Sequence, residues 1–172
     1  MLKKDNLIKI SRIVVRVGFI VNRLFLAAVL LGLLVSWIFP AQFTNMLIGE
    51  NQFDPRSVAV GLRLMLLLGI AMSVAIDRLF VPLTQMIDSA LAGDPFVSAN
   101  ARRLQAIGWA LLILQLLDIP AVFIAKQFPA LANGTPDSIF SPGGWIAVLM
   151  VFVLSRVFAA GSAMRDDLEG TV

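Results

Sequence analysis

Two opposite charges stand inside apolar stretches of this sequence, and they are the first residues whose positions could support chemistry. Arg63 lies within the stretch from residue 57 to 76, and Asp118 lies within the stretch from 104 to 125. A charged side chain inside a membrane span usually faces a protein interior or a water-filled path. With a rise of about 1.5 Å per residue, both would lie about 9 to 10 Å below one membrane edge. We therefore hypothesise an intramembrane Arg63–Asp118 ion pair.

An arrangement without a pair is equally consistent with these residues. Arg63 would then extend outward to the interface, and Asp118, two residues before Pro120, would be protonated or lie at a helix break. Gln115 precedes Asp118 by one helical turn and extends a polar stripe that could line an ion path. A Gln and an Asp at this spacing more often tie helices together.

Three further charges lie near the opposite membrane edge. Arg23 precedes the first apolar run, Asp77 ends the second, and Arg156 interrupts the fourth. A cluster of the three is geometrically feasible. Two arginines that reach outward to lipid phosphates explain the same positions, and the sequence favours that interpretation.

The residue types that are missing limit the chemistry further. The chain has no His, Cys or Tyr, which removes thiol nucleophiles, His general bases and the usual ligands of Zn, Cu and haem. No paired-Glu helix, HExxH or GxSxG motif is present. The densest acidic group, Asp166, Asp167 and Glu169, is typical of a solvated charge run. We expect no catalytic site, no metal and no cofactor.

Four apolar stretches separated by short polar connectors position these residues. Hydrophobic residues make up 59% of the 172-residue chain and charged residues only 15%, far from the balance of a soluble domain. A bilayer core needs about 20 apolar helical residues per crossing. The sequence predicts an all-α, polytopic membrane protein that forms a single domain, a four-transmembrane-helix bundle. Its predicted spans are 17–39, 57–76, 104–125 and 141–160.

Basic residues alternate between the connectors and predict the orientation. Five lie before the first span and three in the second loop, whereas the first loop has only Arg56 and the third only Lys126. Short loops rich in Lys and Arg stay on the cytoplasmic side, so both termini should be cytoplasmic. These residues are interpreted as topology determinants that contact anionic headgroups, and we expect no direct binding of nucleic acid.

The cytoplasmic connector, residues 77–103, has the most specific pattern. We expect Pro82 to interrupt the second helix and residues 83–91 to form a short amphipathic helix at the membrane surface or on a partner. The sequence Gly-Asp-Pro-Phe then breaks that helix, and Ser98 is the expected N-cap of the next one. A C-terminal tail, residues 161–172, follows the last span. The candidate partner-facing or structural residues of the connector are Gly93, Pro95, Phe96, Asn100, Arg102 and Arg103.

The motif GDPFVSANARRLQAIG, residues 93–108, resembles the hallmark of the bacterial domain-of-unknown-function family 2975. The layout of four spans and the closing segment VLMVFVLSRVFAAGSAMRDDLEGTV are similar as well. The resemblance implies a multi-pass protein of the bacterial inner membrane. It also implies a partner, because genes of this family commonly neighbour one for a small helix-turn-helix DNA-binding protein. Gly93, Pro95, Phe96 and Asn100 are its signature positions, and it attaches no catalytic role to them.

These positions have a structural interpretation beside the functional one. Gly93 and Pro95 would shape a turn, Phe96 would anchor that turn at the interface, and Asn100 would cap or bond the loop. For function, we expect an interaction module whose cytoplasmic loop and acidic tail bind the small regulator. The alternative is a small transporter or channel with a polar layer around Arg63 and Asp118. The oligomeric state does not follow from the sequence.

Overall fold

A computed structural model of the chain describes residues 2–48, 54–131 and 141–169. Every regular element within these ranges is helical, which confirms the all-α prediction. Four of the helices are long and apolar enough to cross a membrane. The elements are α1 (Leu2–Ile38), α2 (Pro40–Ile48), α3 (Pro55–Leu91), α4 (Ser98–Gln127), a 3-10 turn (Pro129–Leu131) and α5 (Pro142–Glu169).

The helices extend well beyond the predicted spans. The 37 residues of α3 would measure about 55 Å, whereas the hydrocarbon core of a bilayer is about 30 Å thick. Pro82 lies buried inside α3 and does not interrupt it, so the expected separate amphipathic helix is instead the last part of α3. Pro120 likewise lies inside α4, and Asp118 is therefore not at a helix break. Neighbouring helices that pack around a membrane helix allow it to keep such prolines.

The four spanning helices form an antiparallel row. α1 packs on α3, α3 packs on α4, and α4 packs on α5. Among the described residues no extensive contact joins α1 to α5. The predicted bundle is thus an open arrangement, because its first and last helices do not close on each other.

Close approaches between neighbouring helices fix their register. A Cβ atom added to Gly61 of α3 would lie 2.5 Å from the Phe128 ring at the end of α4, so only glycine fits there. Gly108 of α4 faces the Phe152 ring of α5 in a similar way. Small residues are what allow membrane helices to approach closely, since lipid supplies no hydrophobic drive between them.

Most of the large apolar side chains lie on the outside of this row. Only 11% to 28% of the most apolar window in each spanning helix is buried within the protein. The largest fully buried side chains among the described residues are polar, namely Asn100, Ser36 and Ser73. This distribution is the reverse of that in a soluble domain, and it suits helices whose outer faces are covered by lipid.

A polar network at the Gly93 end of the helices

The turn between α3 and α4 is closed by backbone hydrogen bonds. The amide of Gly93 donates to the Ala90 carbonyl at 3.2 Å, and the amide of Asp94 donates to the Ser89 carbonyl at 3.1 Å. Gly93 has a φ angle of +85°, in the left-handed region that disfavours residues with a Cβ atom. The glycine of the motif therefore ends α3 and starts the turn, which agrees with its structural interpretation.

Asn100 holds the turn from the first part of α4. Its side chain is 2% exposed, and its Nδ2 donates to Ser89 Oγ at 2.7 Å and to the Pro95 carbonyl at 2.8 Å. Its Oδ1 accepts a hydrogen bond from Arg103 at 2.8 Å. One buried amide thus joins the end of α3, the turn and α4. The N-cap of α4 is Val97, without a side-chain bond, so the expected capping by Ser98 is wrong.

The two adjacent arginines of the motif have different environments. Arg103 donates to the side chain of Gln85 at 3.1 Å and to its carbonyl at 3.3 Å, in addition to Asn100. Arg102 is exposed and points into a groove between α4 and α5, whose wall also contains Arg156. Arg103 is therefore part of the scaffold, whereas Arg102 is available to other molecules.

Two contacts connect the turn to α5. The ring of Phe96 stacks on that of Phe158, with centroids 5.3 Å apart and an interplanar angle of 27°. The carboxylate of Asp94 forms an ion pair with Arg165. Phe96 is still 50% exposed, and Pro95 beside it is exposed as well. The turn is anchored on its α5 side while its outer surface stays open.

The start of α1 lies at the same end of the row. Arg12 forms an ion pair of 2.6 Å with Asp88 near the end of α3. With the contact between Asp94 and Arg165, this pair brings the N-terminal part of α1, the turn and the C-terminal part of α5 together. We call the surface formed by Arg12, Asp88, residues 92–97 and Arg165 the Gly93 end.

A buried cluster links α1 and α3 deeper in the row. Asn22 donates to the Asp77 carboxylate at 2.8 Å and to the Ser73 carbonyl at 3.0 Å, and the fully buried Ser73 hydroxyl donates back at 3.2 Å. Arg23 forms an ion pair with Asp77 at 3.0 Å. Arg156 is not a member of this cluster, because it lies on α5, beyond α4 in the row.

The structure does not form the hypothesised pair of Arg63 and Asp118. Arg63 turns toward α1, where it donates to the Ser36 carbonyl at 2.7 Å and lies 4.3 Å from the centre of the Trp37 ring. The close approach of Gly61 to Phe128 also sets the register of α3 and α4. That register separates the two charges by about 12 Å along the helices. In the described part of the chain, no ion pair joins them.

The polar stripe on α4 is not connected either. The buried Gln115 Nε2 has no hydrogen-bond partner in the described part of the chain, and the Gln115 carboxamide packs directly against Gly144 of α5. No hydrogen bond or ion pair reaches the half-buried Asp118 from any residue that the structure describes. Gln115 and Asp118 are therefore separate polar sites on one helix.

The fold and the site define a class, a multi-pass α-helical membrane protein with an ordered polar end. Its described residues contain no group of three or more His, Cys, Asp or Glu side chains that could hold a metal ion. A family model described as Protein of unknown function (DUF2975) matches residues 53–172, which include α3, the Gly93 turn, α4 and α5. The chain belongs to this family, as the resemblance of its motif indicated. No curated protein and no solved structure matches it.

Proposed function

We propose that this protein is a membrane-anchored interaction module that binds a small helix-turn-helix regulator at the Gly93 end, on the cytoplasmic side. One observation carries the proposal. The turn is held from inside by the buried Asn100, yet it presents the half-exposed Phe96 on its outer surface. A large aromatic side chain on a rigid support is a common anchor of protein interfaces, because little conformational entropy is lost on binding.

The charges around the turn support the same partner. Helix α5 continues to Glu169, so the predicted C-terminal tail is helical up to that residue. Its acidic residues follow Arg165, whose ion pair with Asp94 places this part of α5 beside the Gly93 turn. DNA-binding partners carry basic surfaces. An acidic helix end next to an aromatic anchor would attract such a surface and orient it, an effect that falls with rising salt.

A pair of substitutions can separate binding from folding. Phe96→Ala removes the exposed anchor, whereas Phe158→Ala removes the other ring of the same stack and leaves Phe96 in place. We expect Phe96→Ala to abolish co-purification of the neighbouring regulator with the detergent-solubilised protein. Phe158→Ala should retain most of it. If both variants lose co-purification equally while their thermal unfolding is unchanged, binding requires the stacked ring pair and not the exposed face of Phe96. That result would contradict the proposed surface.

A small transporter remains the second candidate, and the half-buried Asp118 favours it. Within the described ranges, this carboxylate lies in a spanning helix without a hydrogen-bonding partner. Ionisable residues inside spanning helices commonly mark substrate or ion pathways. A single open row encloses no lumen, so this function would need a second copy. Cation flux into liposomes that contain the protein tests it. Flux abolished by Asp118→Asn would support transport, and equal flux with and without the protein would exclude it.

A further inference from the structure

A groove of about 600 Å³ runs between α4 and α5 near the Gly93 end. It is partly open to the outside, and successive turns of both helices form its walls. Its walls combine basic and apolar side chains. They are Ala101, Arg102, Gln105, Trp109, Phe152, Val153, Ser155, Arg156 and Ala159.

Two arginines, one from each helix, converge on this groove without an internal counter-charge. Arg102 and Arg156 are exposed, and no hydrogen bond or ion pair joins either of them to a residue that the structure describes. The other arginines nearby differ, since Arg103 is bound by Gln85 and Asn100 and Arg165 is paired with Asp94. Among the residues that the structure describes, the walls of the groove contain no carboxylate. The two guanidinium groups can therefore bind an anion from outside the protein.

The inner part of the groove is apolar. Trp109 lies about 10 Å from Arg102 along α4, it is 53% exposed, and its ring packs edge-on against Phe152 with centroids 5.4 Å apart. Val153 of α5 is exposed beside it. These residues belong to membrane-spanning helices, and their exposed surfaces face the space that hydrocarbon chains occupy.

We propose that this groove is a binding site for an anionic phospholipid. The phosphate binds between Arg102 and Arg156, and an acyl chain lies along Trp109, Phe152 and Val153. The guanidinium groups offer several N–H donors to a phosphate. The apolar wall would not contact a small soluble anion, but it can contact the acyl chain of a lipid. This site is separate from the proposed partner surface, because its walls contain neither Phe96 nor any of the residues that define the Gly93 end.

Fluorescence quenching of Trp109 tests the proposal. The sequence has three tryptophans, so the Trp37→Phe/Trp145→Phe variant reports from Trp109 alone. We expect brominated phosphatidylglycerol to quench it at a much lower mole fraction in detergent micelles than brominated phosphatidylcholine does. An arginine near a membrane surface contributes a factor of about five to anionic lipid binding. Arg102→Gln and Arg156→Gln should each weaken the phosphatidylglycerol effect by about that factor, and the double variant should abolish the preference.

Arg78→Gln is the matched control. Arg78 lies in the neighbouring groove between α3 and α4, which also borders Trp109. It is the one arginine among the described residues of that groove, and its replacement changes the net charge equally. The control should keep the preference, and native mass spectrometry of the unmodified chain should retain a phosphatidylglycerol adduct that the double variant loses. Equal weakening by Arg78→Gln would overturn the proposal. Quenching relieved by millimolar inorganic phosphate would overturn it too, because phosphate alone would then occupy the site.

Discussion

At the Gly93 end, one buried amide binds two helices and a turn, whereas Gln115 and Asp118 in the middle of α4 form no hydrogen bond or ion pair with any residue that the structure describes. Asn100 uses both its donor and its acceptor atoms, and the residues that it touches are fixed by it. Gln115 is half-buried with a fully buried Nε2 atom, yet that atom has no hydrogen-bond partner among the described residues. The comparison shows that a buried polar atom does not by itself mark a structural or functional site. What matters is whether the surrounding residues complete its hydrogen bonds.

The largest effect should follow from removal of the amide at the Gly93 end. Asn100→Ala leaves Ser89, the Pro95 carbonyl and Arg103 without their partner, and we expect it to destabilise the protein by about 3 kcal/mol. The unfolding midpoint in mixed micelles with increasing denaturing detergent measures this loss. Ser98→Ala, at an exposed position two residues earlier, is the control and should change little. A similar midpoint for the two variants would mean that the network does not stabilise the turn.

The cluster between α1 and α3 allows a comparison of a buried bond with an exposed one. Asn22→Ala removes the bonds of a buried amide to Asp77 and Ser73, and we expect a loss of about 2 kcal/mol. Arg23→Gln breaks the ion pair with the same carboxylate, but the Arg23 side chain is more than half exposed. Its loss should stay below about 1 kcal/mol because solvent screens such pairs. A larger loss for Arg23→Gln than for Asn22→Ala would reverse this order.

The sequence predicted the elements better than their mutual arrangement. Runs of apolar residues mark the four spanning helices because a bilayer demands that length. Helix ends did not follow, since α3 continues through Pro82 with the support of its neighbours. The motif pointed to Gly93 and Asn100, but the partners of Asn100 include Ser89 of another helix. Such pairs depend on the register between α3 and α4, which no local pattern encodes.

The predicted pair of Arg63 and Asp118 is wrong for the same reason, because the sequence does not give the register between α3 and α4. Depths counted from the ends of the predicted spans placed Arg63 and Asp118 in one layer. The contact of Gly61 with Phe128 shifts the two helices relative to that estimate. One available signal was overlooked: Ser73 and Asp77 lie four residues apart on one face of α3, the spacing that lets both reach Asn22.

Replacement of the unbonded amide in the middle of the helices should have the opposite sign. Gln115→Met keeps the length of the side chain and removes a buried Nε2 group that has no partner, so we expect a gain of about 1 kcal/mol. Asn100→Met, the same type of change at the Gly93 end, should be strongly destabilising. Both are measured by the unfolding midpoint in mixed micelles. If Gln115→Met also destabilises the protein, Gln115 takes part in a polar interaction, and the contrast between the two regions disappears.

The smallest effect should be the coupling between Arg63 and Asp118. Arg63 is bound by Ser36 and Trp37 on its α1 side, so in a double-mutant cycle the losses of Arg63→Gln and Asp118→Asn should add within about 0.5 kcal/mol. A cycle on Arg12 and Asp88, which form a true ion pair, supplies the scale: exposed pairs couple by up to about 1 kcal/mol. Coupling between Arg63 and Asp118 larger than in that reference cycle would mean that the two helices slide in the membrane until the charges meet, and the middle layer would then be as connected as the Gly93 end.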